Sequence, residues 1–243
     1  MKTRTIILML LSTAFIFTSC CKMGEDYVTP SAEVTEQEKL FTNFTELDVS
    51  DAFKVYVTFS EGEESVRIEA NKNLHSHIQV SQYNNRLNIK LDNVRIRNGS
   101  ATLNVYITMQ QLREVVAAGA THVKIQNPLI GDDLHMQLTG ASSLEGNLQL
   151  QNLYTTIDGA SNINISGSSG TFNLIAEGAS NMESYDFETL SFTGDLEGAC
   201  NARLRIQESI NIRAKGASNL YYKGDAVVRS QNLTGASHIY KMD

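Results

Sequence analysis

Seven copies of one four-residue motif, spaced almost evenly over the second half of the chain, restrict the fold more than any other feature. The copies are Gly119-Ala120-Thr121-His122, Gly140-Ala141-Ser142-Ser143, Gly159-Ala160-Ser161-Asn162, Gly178-Ala179-Ser180-Asn181, Gly198-Ala199-Cys200-Asn201, Gly216-Ala217-Ser218-Asn219 and Gly235-Ala236-Ser237-His238. Successive glycines lie 21, 19, 19, 20, 18 and 19 residues apart. A period near twenty with strand-like sequence between copies is the pattern of a solenoid, in which each repeat is one coil that buries its apolar side only against its neighbours.

The columns of the repeat predict how the coils stack. The second position is Ala in every copy and the third is Thr, Ser or Cys, small residues suited to a cramped corner. The fourth position runs His122, Ser143, Asn162, Asn181, Asn201, Asn219, His238, and asparagines held in register predict a ladder of amide hydrogen bonds. The fifth runs Val123, Leu144, Ile163, Met182, Ala202, Leu220, Ile239 and must point inward. Upstream of the glycines, Leu134-x-Met136-x-Leu138, Leu153-x-Thr155-x-Ile157, Phe172-x-Leu174-x-Ala176 and Ile210-x-Ile212-x-Ala214 alternate with period two, as strands with one buried face do. Glycine at the junction supplies a positive φ or a close backbone approach. The expected fold is all-β, a parallel β-helix (β-solenoid) of Gly-Ala-Ser-Asn repeats about 19 residues long, with coils about 4.8 Å apart. The L-x-x-L-x-L signature of leucine-rich repeats is absent.

The earlier part of the chain sets location and organisation. Lys2 and Arg4 precede an apolar run from Ile6 to Phe17, then Thr18-Ser19-Cys20, the layout of an export signal too short to span a bilayer. Small residues before Cys20 resemble a bacterial lipobox, with Phe17 where Leu is usual, so Cys20 is the expected lipidation site and the protein an expected outer-membrane lipoprotein, facing the periplasm or the surface. The chain then divides into residues 1–19 as signal peptide, 20–40 as a lipid-anchored polar tether, 41–115 as an N-terminal β region and 116–243 as repeat coils. In the N-terminal region Phe53-x-Val55-x-Val57-x-Phe59, Val66-x-Ile68-x-Ala70, Leu87-x-Ile89-x-Leu91 and Leu103-x-Val105-x-Ile107 alternate, with turn residues between them. This region is either a cap on the open end of the solenoid or a set of degenerate coils. Removing residues 1–19, which hold two of the 20 basic residues and none of the 27 acidic ones, leaves 18 − 27 = −9. Such acidity argues against nucleic acid or an anionic membrane face as a partner and leaves a glycan or an envelope protein.

Candidate sites follow from the columns. The residues before the glycines include Asp158, Glu177 and Glu197, carboxylates on consecutive coils that could meet a sugar or a cation, with Lys215 next in the row. Against this stands a plain solvated face. Five residues after the glycines, Tyr221 and Tyr240 form a possible aromatic platform for a glycan, or simply rim packing at the last coil. No catalytic residue, metal site or cofactor is assigned. The three cysteines build no zinc or disulfide pattern, and His75-x-His77 lacks a third ligand.

A lipoprotein signal, a Phe-x-x-Leu-x-Val opening at Phe44–Val49, the run Leu112-Arg-Glu-Val-Val-Ala-Ala-Gly-Ala120 and serial Gly-Ala-Ser-Asn together resemble the putative auto-transporter adhesin, head GIN domain family, over residues 44–223. The resemblance implies a right-handed β-helix and a non-enzymatic adhesion or binding scaffold in the cell envelope. The rival reading is a carbohydrate-active β-helix enzyme, a polysaccharide lyase or hydrolase, although repeats of 18–21 residues leave little room for active-site loops.

Overall fold

The computed structural model describes residues 26–92 and 94–243. The first strands are β1 (Asp26–Val28), β2 (Val34–Lys39), β3 (Glu46–Val49), β4 (Lys54–Phe59), β5 (Ser65–Asn71), β6 (Ile78–Tyr83), β7 (Arg86–Leu91), β8 (Val94–Ile96) and β9 (Leu103–Met109), with a 3-10 turn at Lys72–His77. They are followed by β10 (Glu114–Ala117), β11 (His122–Ile125), β12 (Leu129–Leu138), β13 (Ser143–Ile157), β14 (Asn162–Gly178), β15 (Asn181–Gly198), β16 (Asn201–Gly216), β17 (Asn219–Lys223), β18 (Val227–Leu233) and β19 (His238–Lys241).

From β10 onward every ladder is parallel and joins equivalent positions of successive repeats, Leu153 to Phe172, Phe172 to Phe192 and Phe192 to Ile210. The chain is a parallel β-solenoid. Each coil has an exit arm leaving the glycine and an approach arm leading to the next. In β13 the buried positions are Leu144, Leu148 and Leu150 on the exit arm and Leu153, Thr155 and Ile157 on the approach arm. The alternation changes phase at Gln151–Asn152, where the chain bends and both arms keep one side in the core. All four alternating runs upstream of the glycines are buried, and so is the inward exit-arm column from Val123 to Leu220. Phe172, Phe187 and Phe192 fill the middle, ring centroids 5.5–5.8 Å apart. Gly194 makes room for them, because a β-carbon there would lie 2.8 Å from the Phe192 ring.

The corners explain the motif. The seven motif glycines hold φ between +73° and +105°, a region that costs an L-residue strain. From Ala141 onward each alanine N–H donates to the preceding coil's glycine carbonyl, as Ala179 does to Gly159 at 2.7 Å, and Ala120 donates to the Asp51 carbonyl. The Ser column is buried, and its hydroxyls turn back on the carbonyl three residues earlier: Ser142 to Thr139, Ser161 to Asp158 and Ser180 to Glu177, all at 2.9 Å. The cramped site is thus the Ser position and the underside of the glycine, while the alanines lie exposed on the outside of the bend.

The N-terminal region is both degenerate coils and cap, and it stacks out of order. Strand β3 pairs in parallel with β10 on one side and β7 on the other, and β4 likewise lies between β11 and β9. The coil built from β7 and β9 is therefore outermost, and the earlier β3–β4 coil is sandwiched inside it. Arg86 clamps this order from outside, reaching Glu46 at 2.9 Å and Glu114 at 2.8 Å on the next two strands. Beyond the outer coil the pairing turns antiparallel: β5 on β9, β2 on β5 and β6 on β7 close the end. Strand β2 and the short β1, which pairs with β8, lie in the segment read as a tether, so the chain is held to the body from Asp26 on.

Candidate functional site

The exit arm presents two outward rows set by the register. The row nearer the corner runs Lys54, His122, Ser143, Asn162, Asn181, Asn201, Asn219, His238. The amide ladder forms over three coils, Asn219 Nδ2 donating to Asn201 Oδ1 and Asn201 Nδ2 to Asn181 Oδ1, each at 3.1 Å. Asn162 instead turns to its own Ala160 carbonyl at 3.2 Å, and His122 Nδ1 meets Ser143 Oγ at 2.6 Å. These asparagines are half-exposed or exposed, so the ladder fixes a surface and does not rescue buried amides.

The second row runs Tyr106, Tyr56, Lys124, Glu145, Asn164, Glu183, Arg203, Tyr221, Tyr240. Lys124 Nζ lies 2.7 Å from Glu145, and this hydrogen bond holds the Glu145 carboxyl below its ordinary range. Arg203 pairs with Glu183 at 2.9 Å and lies over the Tyr221 ring at 4.7 Å. Tyr221 and Tyr240, read from the sequence as one platform, do come together, with centroids 5.0 Å apart and planes 15° apart. They stack on each other, however, so Tyr221 has Arg203 on one face and Tyr240 on the other. The His238 ring also stacks with Tyr240, centroids 5.6 Å apart, so the two tyrosines are part of a longer ring stack and not an open platform. Tyr56 and Tyr106 make a matching stack at the other end, 5.1 Å apart.

Between these ends a bulge shapes a groove. The ladder from β14 to β15 pairs Ile163 with Met182 but Gly167 with Phe187, and the next pairs Ser184 with Leu204 but Glu188 with Arg205. The extra residues push Tyr185 and Asp186 outward, and the buried Ser184 Oγ accepts the Ile165 N–H at 2.9 Å where the ladder is broken. The wall so raised bounds a polar groove of about 360 Å³ lined by Lys124, Glu145, Asn164, Glu183, Tyr185 and Asp186. Bulges commonly re-aim side chains beside binding sites. The sequence trace of this one is the 20-residue spacing from Gly178 to Gly198, which the column reading passed over.

The carboxylates Asp158, Glu177 and Glu197 are exposed at the corners. Asp158 Oδ1 accepts the Gly159 N–H at 2.6 Å, and Glu197 pairs with Lys215 at 3.1 Å. Glu177 stacks in register with Glu197. Among the described residues no cluster of three or more His, Cys, Asp or Glu is placed to hold a metal ion. A second stack, His135 on Tyr154 at 4.6 Å, lies on the approach arm; both sit five residues before a motif glycine, so the same counting would have found them. Cys200 stands in the buried Ser column, where burial pushes its thiol pKa up. Cys20 and the signal segment lie outside the described residues.

The family described as "Putative auto-transporter adhesin, head GIN domain" matches residues 43–226, and the chain belongs to it. Solved structures share the fold. A putative adhesin from Bacteroides fragilis superposes with a TM-score of 0.84 at 22% identity, covering 88% of this chain and 100% of that one. One from Parabacteroides merdae gives 0.73 at 14% identity over 90% and 100%. A protein from Parabacteroides distasonis described as a putative lipid binding protein gives 0.73 at 13% identity over 89% and 100%. No curated protein matches the chain in sequence.

Proposed function

We propose that this protein is a non-enzymatic lipoprotein of the cell envelope, anchored through Cys20, whose solenoid displays the exit arm as a recognition surface for an envelope glycan. The observation that carries the reading is the bulge-walled groove beside the ladder of Asn181, Asn201 and Asn219. It offers amide donors and acceptors, carboxylates and a lysine at strand spacing on a surface that the amide ladder and ion pairs already hold in place. A preorganised polar surface loses little side-chain entropy on binding, and paired amides and carboxylates suit the hydroxyls of a sugar chain. The family description supports an adhesion-type role. The test is binding of the soluble chain from residue 22 onward to an array of glycans and envelope polysaccharides, with and without calcium. Saturable binding weakened at least tenfold by Glu183→Ala with Asp186→Ala supports the reading, whereas silence across the array overturns the glycan assignment. Tyr221→Ala and Tyr240→Ala test whether the ligand extends to the last coils. Unchanged membrane retention in Cys20→Ala overturns the anchor.

A further inference from the structure

Three of the five most exposed large apolar side chains of the described residues lie in the N-terminal region, the other two being Ile130 and Val227. Leu40 is 97% exposed, Tyr83 76% and Tyr27 62%. Their places in the fold are related. Strands β2 and β6 are the outermost strands of the two arms, each pairing on one side only, β2 with β5 and β6 with β7. Leu40 follows β2 directly, and Tyr83 is the last residue of β6. Gln82 Nε2 donates to the Thr42 carbonyl at 2.9 Å, which ties the two strand ends together. Tyr27 lies on β1, against β8 in the excursion between β7 and β9 of the outermost coil. Leu40 and Tyr83 therefore belong to the end layer of the solenoid, and Tyr27 to the separate β1–β8 ribbon, with Arg97 over its ring at 5.6 Å.

That end is also where the chain enters. Only five residues separate Cys20 from the first strand at Asp26, and the six Cα–Cα steps reach at most about 20 Å when fully extended. A lipid on Cys20 thus keeps the start of β1, at the cap, within about 20 Å of the bilayer. At the cap edge Arg67 pairs with Glu36 and Lys72 with Glu33, and the further carboxylates Glu38, Glu61 and Glu63 exposed there suit a zwitterionic rather than an anionic headgroup layer. Tyrosine has an apolar ring and a polar tip and favours the membrane–water interface.

We infer that the cap is a membrane-docking face: Leu40, Tyr83 and Tyr27 insert into the headgroup region of the bilayer that carries the lipid anchor, and the solenoid stands up from the membrane on its N-terminal end. The inference rests on the lipoprotein reading for the proximity of the bilayer, and the apolar residues supply the contact. One acyl-anchor region and one weakly apolar face reinforce each other, because the anchor makes insertion intramolecular. The groove and the Tyr221–Tyr240 end are then held away from the surface, where a ligand can reach them.

The chain contains no tryptophan, so a single introduced one reports its own surroundings. The experiment places the full lipidated chain, carrying Leu40→Trp, Tyr83→Trp or Tyr240→Trp, in phosphatidylcholine vesicles with brominated acyl chains and measures emission quenching. Tyr240 lies ten strand spacings from β2, on the order of 45 Å, and serves as the distal control. The expected result is blue-shifted emission and several-fold stronger quenching at positions 40 and 83 than at 240. Equal, weak quenching at all three positions in a chain that co-sediments with the vesicles overturns the docking face while leaving the anchor intact. Co-sedimentation and cap quenching that persist in Cys20→Ala support the face and overturn the anchor. A chain with intact Cys20 that fails to co-sediment overturns both.

Discussion

A β-carbon added at Gly178 would lie 2.6 Å from the Gly159 carbonyl oxygen, at a φ of +76°. That oxygen accepts the Ala179 N–H, so it cannot retreat without breaking the corner ladder. Gly178→Ala is therefore expected to cost about 3 kcal/mol, read from urea unfolding. Ala179→Val, exposed on the outside of the same bend, is expected to stay within about 1 kcal/mol of wild type, and so is Glu177→Gln. From sequence alone the small Gly and Ala positions look equally cramped, since neither shows which way its side points. Thr155 makes the opposite prediction. It stands in an inward column, and its hydroxyl is the one buried side-chain polar atom among the described residues without a hydrogen-bond partner. Thr155→Val removes an unsatisfied oxygen at nearly constant shape and should raise stability by about 1 kcal/mol; a loss of stability would show that the hydroxyl has a partner in solution.

At the scale of the coil, what the repeat spells out was legible and what departs from it was not. The inward columns, the outward Lys124-to-Tyr240 row and the corner all follow from counting residues after glycine. One further corner escaped, because Asp51-Ala52-Phe53-Lys54 occupies the motif position without its glycine. Asp51 holds a φ of +80° in the column, and Lys54 pairs with His122. The Asp51 carboxylate accepts the Leu91 N–H at 2.7 Å, a bond across to the end of β7 that helps hold this corner. The bulge at Ser184–Phe187 was hidden for a related reason, since one inserted residue changes a spacing only from 19 to 20. Ser184→Ala leaves the Ile165 N–H unpaired in the core and should cost about 1–3 kcal/mol. On the cap, Glu69 accepts from Asn104 Nδ2 at 2.8 Å and Tyr106 Oη at 2.9 Å, and these bonds hold its carboxyl below the ordinary range. A depressed folded value means that its stabilisation is present above about pH 4.3, the ordinary glutamate value, and is lost as pH falls through the lower folded value. Glu69→Gln should flatten the stability profile in that acid window and leave its shape near neutrality unchanged.

The molecule as a whole is a stack with unlike ends. Antiparallel strands close the N-terminal end, and β2 covers the edge of β5 that would otherwise offer free backbone groups to another chain. No sequence pattern announced that β7 and β9 would pass outside β3 and β4, because parallel strands of similar composition pair in either order until tertiary contacts such as the Arg86 clamp choose one. A chain beginning at residue 41 lacks β1 and β2 and should self-associate in size-exclusion chromatography, whereas one beginning at residue 22 should elute as a discrete species. The central claim is that the exit arm of this stack is the face that meets a ligand. Hydrogen–deuterium exchange on the chain from residue 22 onward, with and without a saturating glycan selected from the array, tests it most directly. Slowed exchange is expected to concentrate in 181–187 and 201–205, with the approach arm unaffected. Protection centred on His135 and Tyr154 instead, with the exit arm unchanged, would contradict it.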